Sequence, residues 1–133
     1  MKVAVIGGGL AGVECAKALS RNDISVDLFE MKPHKKSPAH KLDTLAELVC
    51  SNSLKSNDVY GNAAGLLKEE MRALGSLVIE AGDKTRVPAG NALAVDREKF
   101  AEYITEKIKA QENIEFISAE IEDICVDEYT VIA

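Results

Sequence analysis

The chain has 133 residues, enough for one domain with a real core, and its 47% hydrophobic and 29% charged residues, with no Trp, are ordinary for an α/β protein. A formal net charge of −6 argues against a whole-surface electrostatic grip on nucleic acid while leaving room for a local basic patch. No stretch approaches the length of a membrane span or a signal-peptide core, and Cys15, Cys50 and Cys125 form no CxxC pair. The sequence therefore predicts a cytoplasmic protein with reduced thiols, no disulfide framework and no dithiol flavoenzyme centre.

Four apolar residues, Val3 to Ile6, run directly into Gly7-Gly8-Gly9-Leu10-Ala11-Gly12. A helical pattern begins at once, over about Leu10 to Arg21, and small Ala11, Cys15, Ala16 and Ala18 suit close packing on a sheet. Cys15 reads there as a small buried hydrophobe. Asn22-Asp23 breaks the helix, and a second strand over Ile24 to Phe29 ends on an acid, Glu30. Strand, glycines, helix, strand and acid in this order form the β–turn–α–β unit that binds the ADP half of FAD or NAD(P). Gly7 permits the tight turn, Gly9 admits the pyrophosphate to the backbone, and Gly12 lets the helix pack on its strand. The free N–H groups and positive dipole end of the helix face the phosphates, and Glu30 accepts hydrogen bonds from the ribose. The candidate cofactor-binding residues are Gly7, Gly8, Gly9, Leu10, Ala11, Gly12 and Glu30. A glycine-rich turn that binds nothing is the alternative.

From Met31 to Gly61 the periodicity changes. MKPHKKSPAHK carries Lys32, Lys35, Lys36 and Lys41 with His34 and His40, and Pro33 and Pro38 oppose a helix or a central strand. These lysines are candidates for phosphate contacts, offering charge but no base readout. Leu42, Leu45, Ala46 and Val49 predict one short helix, and Cys50 to Asn57 follows as a polar stretch without a core face. A segment this long with little regular structure usually marks a binding or active-site insertion. A solvated basic loop followed by a polar turn is the plainer reading.

Asn62 caps a predicted helix over 62–74, with Ala63, Leu67, Met71 and Leu74 on one face and Gly75 at its end. Leu77 to Ala81 reads as a strand and Gly82-Asp83 as a turn. Val87 and Leu93 to Val95 are strand-like about a kink at Pro88-Ala89-Gly90-Asn91. Asp96 caps a helix from Arg97 to about Ala110 that buries Phe100, Ile104 and Ile108. Ile114 to Ile117 predicts a strand joining a parallel sheet. Glu120 to Val126 reads as an exposed hairpin, and Tyr129 to Ala133 as a last apolar strand. That strand ends flush with the sequence, without the loop that should follow it over a nucleotide. The expectation is a Rossmann-like FAD/NAD(P)-binding α/β fold, three-layered with a mainly parallel sheet and incomplete at its C-terminus. Residues 1–133 would then be the N-terminal part of such a domain, with an irregular active-site insertion at about 31–61.

Three strings go beyond a generic dinucleotide fold. VIGGGLAGVE, AELVCSNSLKSN followed by GLLKEEMRAL, and VPAGNALAVDREKF closely resemble the folate- and FAD-dependent tRNA (uracil-5-)-methyltransferases, which are related to the glucose-inhibited division type of flavoprotein. The resemblance covers essentially the whole chain. It implies transfer of a one-carbon unit from methylenetetrahydrofolate, its reduction by flavin hydride supplied by NAD(P)H, and delivery to C5 of a T-loop uridine in tRNA. It implies FAD at Gly7 to Gly12 and Glu30, and a catalytic role for Cys50, as base-attacking thiolate or as partner acid/base, with a second cysteine from later in the family's chain. Asn52 and Ser53 would bring the loop back over the flavin, or serve only to cap a turn. Arg97 contacts substrate or sits in a first helical turn. No metal and no membrane are implied. A stand-alone dinucleotide-binding module, or another FAD/NAD(P)-linked oxidoreductase, is the competing reading, and the family's substrate region would lie beyond Ala133, so this stretch alone is expected to be inactive.

Overall fold

The computed structural model describes residues 1–124 and 129–133; Cys125 and Val126 lie outside the described residues. In chain order the first elements are β1 (Lys2–Ile6), α1 (Leu10–Ser20), β2 (Ser25–Glu30), β3 (Ser53–Ser56) and α2 (Ala63–Ala73). There follow α3 (Leu77–Lys84), β4 (Arg86–Val87), β5 (Ala92–Val95), α4 (Arg97–Lys109), β6 (Ile114–Ser118) and β7 (Tyr129–Ile132).

Four strands form a parallel sheet in the order β6-β2-β1-β7, with Val3 opposite both Val26 and Tyr129 and Leu28 opposite Phe116. Alternation decides its faces. Val3, Val5, Val26 and Leu28 are buried in one cluster with Val13 and Ala16 of α1 and with Phe100, Ile104 and Ile108 of α4. Ala4, Ile6, Asp27 and Phe29, on the opposite side of the pleat, are half-buried. This is the Rossmann-like arrangement expected from the glycine turn, with α1 crossing between adjacent parallel strands. A second, antiparallel sheet runs β3-β5-β4. Its β4–β5 hairpin turns at Pro88–Asn91, where Gly90 takes φ +59° and Ala92 N–H donates to Ala89 O at 3.1 Å.

Helix α4 forms as its sequence predicts. The Asp96 carboxylate accepts from Lys99 N–H at 3.2 Å, and Phe100, Ile104 and Ile108 are fully buried. Four other expectations fail for identifiable reasons. Leu77 to Ala81 is the start of α3 and not a strand, and Gly82-Asp83 continues that helix. A short, mostly apolar run fits a buried strand and a buried helix equally. Two acceptors settle it by satisfying first-turn N–H groups: Ser76 Oγ takes Ile79 N–H at 3.1 Å and Glu14 Oε1 takes Val78 N–H at 2.6 Å.

The helix expected around Leu42, Leu45, Ala46 and Val49 is absent; the segment is a series of bends with Ala46 at φ +52°. Its N–H groups are drawn to other elements, Leu45 N–H to Thr105 Oγ1 at 2.9 Å and Ala46 N–H to Gly8 O at 2.8 Å. The polar stretch Cys50–Asn57 contains strand β3, which pairs with β5 across an irregular register, Ser53 with Ala94 and Ser56 with Ala92. Finally, the apolar stripe of α2 faces outward. Leu67 is 56% and Leu74 79% exposed, whereas Gly65 and Lys68 are buried. Gly65 lies so close to the Asp58 backbone that a Cβ would stand 1.9 Å from its carbonyl oxygen, and the Lys68 ammonium donates to Ser56 O and Ala64 O at 2.9 and 3.0 Å. Polar anchoring onto the β3 turn, not amphipathic burial, orients this helix.

The Phe100 ring is the largest apolar side chain closed off between α4 and the sheet. Phe100→Ala is expected to lower unfolding free energy by about 3–5 kcal/mol, read from the urea midpoint at unchanged slope.

Candidate functional site

The β1–α1 turn needs its glycines for steric reasons. Gly7 takes φ +112° and donates its N–H to Phe29 O at 2.9 Å, and a Cβ there would meet Ala133 O at 2.2 Å. Gly12 brings α1 down onto the turn; a Cβ at this position would stand 1.8 Å from Gly7 O. Gly9 differs, because nothing lies within 4 Å of where its Cβ would be. It is the N-cap of α1 and supplies no side-chain cap, so the N–H groups of Leu10, Ala11 and Gly12 lack intrahelical acceptors while the helix dipole adds positive potential. Open space beside uncapped N–H groups fits the pyrophosphate of a dinucleotide.

Glu30 ends β2 and is 8% exposed. Its Oε2 accepts from Gly8 N–H at 2.9 Å and its Oε1 from Lys32 N–H at 3.0 Å. Each oxygen keeps a further lone pair, so the carboxylate is fixed in orientation yet still able to receive ribose hydroxyls. Gly8 has no room for a side chain, since a Cβ would meet Glu30 Oε2 at 2.7 Å and the Leu45 side chain at 2.5 Å. Leu45 and Ala46 thus wall the glycine turn on one side. Nothing in the local sequence signalled this, because both contacts join residues far apart in the chain.

The basic run is largely spoken for within the molecule. Lys32 is 2% exposed, its ammonium bonded to Thr44 O and 3.9 Å from Glu47 Oε2, so it is an interior brace and not a phosphate contact. Lys35 pairs with Glu120, and Lys36 with Asp43 at 2.5 Å. Lys41 is exposed, its backbone N–H donating to Glu47 Oε1 at 2.9 Å. Burial opposes the charge on Glu47, but the N–H groups of Lys41 and Leu42 and the Lys32 ammonium outweigh it, holding the carboxyl below its ordinary value.

Cys50 is exposed, in the bend between Leu48 and β3. Asn52 is turned toward β5: its backbone carbonyl accepts from Val95 N–H at 2.9 Å and its side-chain Nδ2 donates to Val95 O at 3.2 Å. Ser53 opens β3, donating its N–H to Ser51 Oγ and accepting from Lys55 N–H, each at 3.1 Å. Arg97, in the first turn of α4, donates from Nη1 to Leu48 O at 3.3 Å. Cys15 is half-buried against the core, and burial raises its thiol pKa, as suits an inert packing residue. Among the described residues no three His, Cys, Asp or Glu side chains cluster to hold a metal, and no helix is long and apolar enough to cross a membrane.

A glycine turn closed by an ordered acid, on a parallel sheet, is the arrangement of a Rossmann-like α/β protein. The family model for glucose inhibited division protein A matches residues 2–133, and the chain belongs to that family. It is 58% identical over 132 residues to methylenetetrahydrofolate--tRNA-(uracil-5-)-methyltransferase TrmFO of Myxococcus xanthus, covering 99% of this chain and 29% of that protein. The same-named protein of Caldicellulosiruptor bescii is 57% identical over 133 residues, covering 100% of this chain and 30% of that one. The chain therefore spans about 30% of the length of the curated relatives it matches. Among solved structures, CtdE in complex with FAD and a substrate superposes with a TM-score of 0.50 at 14% identity, over 87% of this chain and 30% of that one, a likeness of fold.

Because the Glu47 carboxyl is held below its ordinary value, the stability it contributes is fully present above the unfolded value of about 4.3 and is lost as pH falls through the lower folded value. Glu47→Gln is expected to lower the urea midpoint at neutral pH, with the gap to wild type closing as pH drops below about 4. A gap independent of pH would refute the ionic contribution.

Proposed function

We propose that this chain is the FAD-binding portion of a folate-dependent tRNA (uracil-5-)-methyltransferase. The observation that carries the reading is the identity of 57–58% across nearly the whole chain to proteins bearing that name. The open, uncapped start of α1 and the ordered Glu30 carboxylate support the cofactor assignment. In this reading Leu10, Ala11 and Gly12 bind the pyrophosphate through their N–H groups, Gly9 leaves it room, and Glu30 receives the adenosine ribose. Held by Leu10, Ala11, Gly12 and Glu30, a bound FAD reduced by NAD(P)H would supply the hydride for the methylene carbon taken from methylenetetrahydrofolate.

Uracil C5 is a poor nucleophile until a group adds at C6. A thiolate suits that task, because it adds reversibly and leaves once C5 has formed its new carbon bond and lost its proton. Cys50 is the candidate for this chemistry, either as the thiolate that adds at C6 or as the base that takes the C5 proton. Its exposure suits work on a base carried by a macromolecule as large as tRNA.

Glu30→Ala is expected to weaken FAD binding by roughly tenfold or more, since a charged hydrogen-bond acceptor contributes about 1.5–3 kcal/mol, measured by flavin fluorescence titration of the full-length protein. With unmodified tRNA, NADH and methylenetetrahydrofolate, the full-length protein should form 5-methyluridine, and Cys50→Ala should abolish it while leaving FAD affinity unchanged. Absence of product from the wild-type protein would overturn the function, and full activity of Cys50→Ala would remove Cys50 from the chemistry.

A further inference from the structure

The strings CSNSL and AVDR are one structural unit. Leu48 and Asn52 flank the exposed triplet Val49-Cys50-Ser51. On one side Arg97 Nη1 donates to Leu48 O at 3.3 Å. On the other, Asn52 exchanges two hydrogen bonds with Val95, its backbone carbonyl accepting at 2.9 Å and its side-chain Nδ2 donating at 3.2 Å. Both anchors lie on the junction between β5 and α4, and that junction is itself rigid. Val95 is 1% exposed and pairs with Arg86, Asp96 N–H donates to Thr85 O at 2.9 Å, and the Asp96 carboxylate caps α4. The span between the anchors is too short to wander once both ends are held. Arg97 also borders two depressions beside the triplet, one of about 270 Å³ with Val49 and Lys41, the other with Asn52 and Val95.

We propose that Arg97 and Asn52 are positioning residues: they clamp the two ends of the Cys50 triplet to the β5–α4 junction and so fix where the thiol is presented. The proposal rests on the reading of Cys50 as the reactive thiol, and it accounts for the last three residues of AVDR. Val95 pairs with the loop, Asp96 caps the helix, and Arg97 reaches back to Leu48. Such preorganisation acts on turnover rather than on substrate affinity, because it sets the placement of the reacting atom and adds no contact to the bound tRNA.

The test uses the full-length protein with Arg97→Ala, Arg97→Lys and Asn52→Asp. Lysine keeps one donor for the Leu48 carbonyl, whereas aspartate replaces the donor facing Val95 O by an acceptor. For Arg97→Ala and Asn52→Asp, kcat for 5-methyluridine formation should fall about tenfold with KM for tRNA unchanged, and Arg97→Lys should recover most of it. Amide hydrogen exchange of the peptide containing Val49 to Ser51 should quicken in the first two variants, with α4 and β1 unaffected. An unchanged kcat, or a raised KM at constant kcat, overturns the proposal; the second outcome would make Arg97 a substrate contact. If exchange quickens but Cys50→Ala stays active, the clamp is real and the catalytic reading of Cys50 is what fails. Should Arg97→Ala not fold, Asn52→Asp and Arg97→Lys carry the same comparison.

Discussion

The Glu30 carboxylate is held between two backbone N–H groups, Gly8 at 2.9 Å and Lys32 at 3.0 Å, in a place that is 8% exposed. That single group joins the glycine turn, the end of β2 and the start of the long irregular segment. A buried carboxylate is tolerable only because charge-assisted hydrogen bonds offset its lost hydration. The turn it touches has no slack either, since Gly12 presses α1 onto the Gly7 carbonyl and Gly7 lies against Ala133. The geometry around the acid is therefore fixed before any ligand arrives, and a ribose would meet an acceptor that is already oriented.

The segment after Glu30 is organised by the same means, polar groups buried in pairs in place of helix or strand. Lys32 and Glu47 are almost wholly enclosed, the lysine reaching Thr44 O and the glutamate taking the N–H groups of Lys41 and Leu42. These bonds hold Leu45 and Ala46 against the glycine turn. Helix α2 follows the same logic, with Gly65 and Lys68 inward and Leu67 and Leu74 outward. Interior polar pairs are a weak source of stability but a strong constraint on register, because breaking one partner leaves the other buried and unsatisfied. They explain how a stretch with little regular secondary structure can hold a defined shape ahead of Cys50.

The sequence by itself determined the features whose cause is local. Gly7, Gly9, Gly12 and Glu30 declare the dinucleotide turn through spacing, Asp96 and Asn62 announce their helices as caps, and Phe100, Ile104 and Ile108 mark the buried face of α4. Tertiary structure alone decided the rest. Leu77–Ala81 coils with the help of a glutamate from α1 beside its local Ser76 cap, and whether Leu42–Val49 forms a helix turned on Thr105 and on the Gly8 carbonyl. Lys32 became a brace because a distant carbonyl and carboxylate were waiting for it, and Asn52 and Arg97 gained partners 43 and 49 residues away in sequence. Periodicity and capping report what a residue does to its neighbours along the chain. They carry no information on which far-off donor or acceptor will claim its backbone, and in this protein those claims shape the site.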